Sequence, residues 1–508
     1  MPEAVEVIER AAREKRSVMI HGDYDVDGIA GTALLFRYLS GAFEHVYRFV
    51  PDRRTDGYGM AARSVDWASA NEVGLVIAVD CGTSDGDLIR RLQSRGTDVV
   101  VCDHHELPPD AEPAGVMLNP VRPGETYPFR SLCGTAVAYK LVEALEKSGV
   151  KGACSAESLL DLVALATVGD VMPLVDENRY HVQAGLSLIN RSPRAGFEAI
   201  REYARLGGDR VKAGHISFIY APRINAPGRV SRPKPALELL CTDDRAEAGR
   251  LAATLEYENA RRKDLTQIVH EDASDRVRDM KERDAMGAFV LAAEHWDEGV
   301  LGIAAARVAE EWGKPAVLFS IKGALAKGSG RSVAGVNLKA HCDRLHEHFV
   351  RYGGHAQAVG LTLRADGVEA FGRALSEAVG AELGPVAARP RLEIDAAIEL
   401  EECSLDLVSF CDRCEPFGWG NREPVWRVNG VKVAPDTGVV GNGHLKLHVR
   451  NERGHAGSAI AFNWDRPLSS GELVGRTIDI AVHLRRGRYM NREYAEMRLA
   501  DLREHGSE

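Results

Sequence analysis

Short apolar runs alternate with amphipathic stretches through the first third of the chain. Ser17–Ile20, Val46–Val50, Leu75–Val79, Asp98–Cys102 and Gly115–Leu118 read as strands. Between them Ile29–Leu39, Ser64–Ala70 and Asp85–Arg95 carry apolar residues at helical spacing, and Thr135–Lys147 and Ser158–Val168 follow as further helices. This rhythm predicts a mostly parallel sheet covered by helices. The strongest apolar run, Val73–Val79, reads as a buried strand, and an aspartate stands directly after it.

Beyond this block the pattern changes twice. From Asp243 to about Arg283 the chain is densely charged, has one glycine and no proline, and carries Leu251, Leu255, Leu265 and Ile268 in a helical pattern. One long helix or a closely joined pair is expected, a plausible spacer between domains. A second α/β block opens at Ala288 and continues through Pro315–Ser320. From Pro390 to Glu504 short β-like runs such as VWRVNGVKV, HLKLHV, SAIAFNW and TIDIAVHL are separated by Gly, Asn and Pro. That texture predicts a small barrel or sandwich. The fold class is therefore α/β with a C-terminal β-barrel. Four regions are expected: a parallel-sheet domain over 1–190, a connecting helical region over 191–284, a second α/β domain over 285–385 and the barrel over 386–508.

With 508 residues, the chain is too long for one core. The first sixteen residues are charged and helix-like rather than a secretory signal, and no apolar run reaches bilayer length. Nine scattered cysteines lack the spacing of a disulfide framework and fit a reducing, cytoplasmic setting. Cys411 and Cys414 form a lone CxxC with no second pair to complete a zinc site. The net charge of −10 argues against indiscriminate polyanion binding, but leaves room for a local basic groove.

Acids and histidines gather where the first strands end. HGDYDVDG places His21, Asp23, Asp25 and Asp27 on the loop after the first strand; AVDCG places Asp80 after the third; CDHH places Asp103, His104 and His105 after the fourth. In open α/β sheets these strand ends line the binding crevice, so the three loops should converge. Carboxylates and imidazoles suit Mn2+, and carboxylates with water suit Mg2+. Two divalent ions would be neutralised by Asp25, Asp27, Asp80 and one further carboxylate, for which Asp170 in ATVGDVMP is the candidate. Ions roughly 3.5–4 Å apart activate a water and stabilise a leaving oxygen together. An isolated aspartate in such a loop usually caps a helix or turn, and Asp23 fits that reading. Three such loops after successive strands do not.

These motifs resemble the four signatures of the DHH phosphoesterase superfamily, and the likeness to its RecJ exonucleases runs from about Ser17 to Arg503. The resemblance implies two ions per active site, Mn2+ or Mg2+. His21 and Asp25 would hold one, Asp27, His104 and Asp170 the other, with Asp80 as the bridge. His105 would face the phosphate as acid or electrostatic stabiliser, which gives Asp25, Asp80 and His105 the catalytic roles. GSGRS and YGGHAQAVGLTL resemble the DHH-associated substrate-binding domain, with Ser329, Arg331, Gly353, Gly354 and His355 as substrate contacts. Paired glycines allow close backbone approach to a phosphate, and arginine grips its oxygens in pairs. APRINAPGR adds Arg223, Asn225 and Arg229, and PDRRTDGYG adds Arg53 as the contact to a terminal phosphate, ahead of Arg54. EPFGWGNREPVW resembles the junction into the oligonucleotide-binding barrel, and the basic, aromatic stretch His483–Tyr494 suits stacking and backbone tracking of a single strand. The family carries a longer lead than the twenty residues before His21.

The resemblance further implies 5′-to-3′ digestion of single-stranded DNA into mononucleotides, in DNA repair and recombination. Single-strand-binding protein and a helicase are the expected partners, and no membrane is involved. Two alternatives share parts of the pattern: a DHH phosphodiesterase for short RNA, cyclic dinucleotides or pyrophosphate, and an inactive DNA-binding scaffold. The long helix and extra barrel weigh against the first, and the full set of acids and histidines against the second.

Overall fold

The computed structural model describes residues 1–107, 112–208, 210–383, 392–441, 443–462, 464, 470–490 and 492–506. The chain divides into two compact units, Met1–Met172 with Tyr180–Ala388, and Pro173–Arg179 with Arg389–Glu508. The expected boundary at 385/386 lies outside the described residues. That residues 173–179 belong with the C-terminal unit had no signal in the sequence.

The first unit opens with helix α1 (Pro2–Arg13), then β1 (Val18–Gly22), α2 (Val26–Leu39), β2 (Val46–Phe49), α3 (Ala62–Ala70), β3 (Leu75–Val79), α4 (Gly86–Gln93), β4 (Asp98–Cys102), β5 (Val116–Leu118), α5 (Gly134–Ser148) and α6 (Leu160–Gly169). The five strands form one parallel sheet in the order β2-β1-β3-β4-β5. β1 and β3 are buried along their whole length, as strands covered by helices on both faces must be. The chain leaves β1 for one side of the sheet and returns through β3 on the other. The strand order therefore reverses between β1 and β3, which opens a crevice at their carboxyl ends.

A single 35-residue helix, Arg245–Asp279, follows, about 52 Å long at 1.5 Å per residue. Asp244 caps it by accepting the Glu247 N–H at 2.8 Å. Its buried stripe runs through Ala248, Ala252, Leu255, Asn259, Thr266, Val269, Ala273 and Val277. Ile268, expected on that stripe, faces solvent. Small residues let neighbouring helices approach closely, so alanines share the packing face with Leu255 and the valines. The C-terminal part joins Val269, Ala273 and Val277 to the core of the second α/β block, with Phe289, Trp296 and Leu301. That block has β6 (Phe289–Ala293), β7 (Ala316–Lys322), β8 (Leu325–Arg331), β9 (Phe349–His355) and β10 (Ala358–Arg364), in the order β6-β7-β8-β10-β9.

The second unit contains β11 (Ala396–Ile398), β12 (Trp426–Val433), β13 (Gly438–Val440), β14 (His444–Arg450), β15 (Ala456–Ala461), β16 (Thr477–Tyr489) and β17 (Arg492–Glu504). Neighbours run β12-β16-β17-β15-β14, and a further β12–β14 pairing closes the ring. Only β15 and β17 are parallel within it. A closed five-stranded ring with this connectivity is the OB fold. Its core, with Trp426, Val428, Leu447, Ile480 and Val482, is supplied wholly from within this unit.

Candidate metal centre

The sequence around β1 dictates a tight loop. Asp25 caps α2, its Oδ1 accepting the N–H groups of Asp27 at 3.0 Å and Gly28 at 3.3 Å. A Cβ on Gly28 would lie 2.3 Å from the Asp23 backbone nitrogen, so only glycine lets the first turn of α2 lie against that loop. Asp27, fully buried, accepts the N–H of Gly134 at 2.6 Å and of Thr135 at 2.8 Å at the start of α5. Asp80 has φ 59°, a left-handed conformation that aspartate tolerates better than most residues, in the turn immediately after β3. Gly134 packs on it: a Cβ there would meet the Asp80 Cα at 2.8 Å. Asp170 follows directly on α6 as its C-cap.

These elements bring the acids together around one imidazole. Nε2 of His104 lies 3.3 Å from Asp80 Oδ1, 3.6 Å from Asp170 Oδ2 and 3.7 Å from Asp27 Oδ2. Three overlapping groups have ligand atoms within 4.8 Å of one another: Asp27, His104 and Asp170; Asp80, His104 and His105; and Asp23, Asp25 and Asp80. Asp80 belongs to two of them, the position expected of a bridging carboxylate. Burial and then the charges of Asp27, Asp25, Asp23 and Asp170 push the Asp80 carboxyl well above the usual range. Burial and Asp27 do the same to Asp170, and burial and Asp25 to Asp23. Asp23 Oδ1 is buried and finds no hydrogen-bond partner among the described residues. A buried acid cluster with an unpartnered oxygen and an adjacent imidazole fits divalent cations, whose charge offsets both burial and repulsion.

Two residues of the first motif, His21 and Asp23, have different surroundings. His21 is fully buried, stacks on Phe49 with ring centroids 5.0 Å apart, and turns Nε2 toward the Ala61 N–H at 3.3 Å. It joins none of the three groups. Asp23, read from sequence as a turn residue, stands in the group with Asp25 and Asp80. Asp103 acts differently, by holding neighbouring groups in place. Its Oδ2 accepts the Thr83 N–H at 3.0 Å, and its Oδ1 lies 2.7 Å from His105 Nδ1 and accepts the His104 N–H at 2.8 Å. Burial opposes ionisation of Asp103, but the bond to and charge of His105 prevail and hold its pKa well below the ordinary value. Burial likewise opposes the charge on His105, and Asp103 overcomes it, raising the imidazole pKa.

Arginines surround this crevice from three segments. Burial and then Arg53 lower the pKa of Arg229 to about 10, against the pull of Asp25, with Arg331 adding to the repulsion. Burial and Arg53 also lower that of Arg331. Arg53 lies over the Tyr24 ring at 5.6 Å, whereas Arg54 turns back to Asp52 at 3.3 Å. Arg331 donates to Ser329 Oγ at 3.0 Å. Across the sheet Arg331, Ala358 and His355 share one rung, and Ser329, Gly360 and Gly353 another, so the two glycine-rich motifs flank β10 in register. Gly354, with φ 134°, is the residue that strand geometry requires to be glycine. A Cβ on Gly302, in the first turn of helix Leu301–Trp312, would stand 2.7 Å from Arg331 Nη2 and 2.9 Å from Ser329 Oγ. The WDEGVLG stretch was the overlooked signal for this contact.

The other two residues of the RINAPGR motif are engaged elsewhere. Arg223 is buried and pairs with Glu256 of the long helix at 2.6 Å. Asn225 Oδ1 accepts the Val26 N–H at 2.7 Å, one of the first free donors of α2. In the C-terminal hairpin, Arg485 is paired with Glu423 at 2.6 Å and Arg486 with Glu493 at 2.8 Å. Asn491 at its tip lies outside the described residues.

Comparison with known proteins matches three stretches of the chain to known domain families. The DHH family N-terminal domain matches residues 17–167, the DHHA1 domain 262–381 and the RecJ OB domain 394–501. The single-stranded-DNA-specific exonuclease RecJ of Escherichia coli (strain K12) is 32% identical over 486 residues, covering 92% of this chain and 84% of that protein. The protein of the same name from Bacillus subtilis (strain 168) is 31% identical over 510 residues, 99% of this chain. The chain spans 63% of that relative's length. RecJ from Thermus thermophilus in complex with Mn2+ superimposes with a TM-score of 0.84 at 28% identity, over 99% of this chain and 72% of that one. Its complex with Mg2+ gives 0.78 at 26% identity, over 99% and 70%. Among the described residues, no helix is long and apolar enough to cross a membrane.

Proposed function

The chain belongs to the RecJ family, and on that premise we propose that it is a two-metal exonuclease that hydrolyses single-stranded DNA from the 5′ end and releases mononucleotides. The cations are Mn2+ or Mg2+. Asp27, His104 and Asp170 would hold one, Asp23 and Asp25 the other, and Asp80 would bridge them. Two divalent cations bound there supply a water acidic enough to attack at neutral pH, and positive charge for the departing oxygen. His105, oriented by Asp103, offers Nε2 to the scissile phosphate. Arg53, Arg229 and Arg331 grip the phosphates on the 5′ side, with Ser329 and the first turn of helix Leu301–Trp312 completing an anion pocket. Gly353, Gly354 and His355 line the path beside it. Arg223 and Asn225 act one step back, by fixing the helix and the loop that carry the contacts. The barrel tracks the emerging strand.

Single-stranded DNA is the substrate, and a helicase that exposes it and a single-strand-binding protein are the partners this activity calls for. The nine cysteines are all free thiols, which suits a reducing cytoplasm. The observation that carries the reading is one imidazole nitrogen within 4 Å of three carboxylates from α2, α6 and the turn after β3, at the crevice between β1 and β3.

Asp80→Asn tests it. Asparagine keeps the shape and tolerates the positive φ, so the fold should survive. Loss of a bridging charge should remove several kcal/mol of transition-state stabilisation, on the order of a thousandfold in cleavage of a 5′-phosphorylated oligonucleotide with Mn2+. Near-normal turnover would refute the assignment.

A further inference from the structure

His105 is held from both sides. Nδ1 lies 2.7 Å from Asp103 Oδ1, and Nε2 lies 2.8 Å from the hydroxyl of Tyr58, whose ring meets the imidazole edge-on at 5.6 Å. Asp103 is itself immobilised by the Thr83 N–H, and the His105 carbonyl accepts from Asn119 Nδ2 at 2.9 Å. Tyr58 comes from the loop that also carries Arg53, and it is 52% exposed. A large aromatic ring left half in solvent while its hydroxyl is committed to one imidazole is not explained by core packing.

We propose that Tyr58 is a positioning residue for hydrolysis: its hydroxyl fixes the His105 ring so that Nε2 points into the crevice, and keeps that hold while the Nε2–H is shared with a phosphate oxygen. The Asp103–His105–Tyr58 chain then links the loop bearing Arg53 to the reacting phosphate. No proton or bond changes hands at Tyr58. This inference rests on the reading that His105 faces the scissile phosphate.

The test measures kcat, KM and Mn2+ affinity on a 5′-phosphorylated oligodeoxynucleotide for Tyr58→Phe, Tyr58→Ala, His105→Ala and Tyr58→Phe/His105→Ala. Loss of one orienting hydrogen bond should lower kcat about tenfold in Tyr58→Phe, with KM and Mn2+ affinity unchanged. Tyr58→Ala should do no worse in KM. In the His105→Ala background, followed under single-turnover conditions, Tyr58→Phe should add nothing. A Tyr58→Phe variant with wild-type kcat overturns the proposal, as does a deficit confined to Tyr58→Ala, which would make the ring a stacking surface. An equal loss in both backgrounds also overturns it. Wild-type kcat in His105→Ala would instead fail the underlying reading and take this inference with it. Should His105→Ala be too slow to follow, the kcat and KM values of the two Tyr58 variants decide alone.

Discussion

His21 on β1 and Asp23 on the loop after it stand two residues apart, yet of the two only the aspartate groups with Asp25 and Asp80. Its Oδ1 is buried without a partner among the described residues, whereas both ring nitrogens of His21 lie against neighbours, Ala61 and Cys81. Asp23→Asn should therefore weaken Mn2+ binding by more than the roughly 10–100-fold typical of losing an outer-sphere partner. His21→Asn should stay within that range. Titration calorimetry of the two variants checks the order, and the reverse order would return His21 to the ligand set. The acids were legible in sequence because strand-end loops of a parallel sheet converge by topology alone. The surroundings of each of the four neighbouring side chains were not legible. Those depend on local rotamers and on Phe49 and Ala61, residues with no chemical signature. Asp103 was visible as part of CDHH, but its role as the brace of His105 follows only from its contact with the Thr83 amide.

At the level of elements, the metal loop is held by a helix almost two hundred residues away. Asn225 accepts the Val26 N–H, and a Cβ on Gly228 would come within 2.6 Å of the Tyr24 carbonyl oxygen, so helix Ala221–Val230 rests directly on the loop. Asn225→Ala leaves a part-buried amide without its acceptor, a loss of about 1–3 kcal/mol. Denaturant unfolding should register that loss, together with weakened Mn2+ binding from a looser Asp23–Asp27 loop. Unchanged stability and metal affinity would mean that Asn225 serves the substrate instead. The motif was readable as important, but its division of labour was not, since Arg223, Asn225 and Arg229 all look like phosphate contacts in sequence. The long helix shows the same limit: its extent followed from charge density and the absence of proline, and Leu255 and Leu265 pack as their spacing predicts, while Ile268 is exposed and the buried alanines carry no comparable signal.

Across the whole molecule, the barrel and the α/β blocks have cores of their own. The buried residues of the barrel core run from Leu400 to Met497, those of one core under the parallel sheet from Met19 to Met117, and those of the second α/β block from Val230 to Val379. Removing residues 392–508 should therefore leave the first unit folded, as circular dichroism would report. Hydrolysis of short oligonucleotides should persist, while affinity for long strands and processivity fall. Equal processivity with and without the barrel would contradict its tracking role. The barrel's strands were legible from alternation, but its closure through the β12–β14 pairing was not, because ring order depends on contacts between non-neighbouring strands. The most direct measurement of the central claim is anomalous scattering at the manganese edge from crystals soaked in Mn2+. Two peaks roughly 3.5–4 Å apart are predicted, one beside His104 and Asp170, the other beside Asp23 and Asp25, both in contact with Asp80. A single peak, none, or a pair away from Asp80 would contradict it.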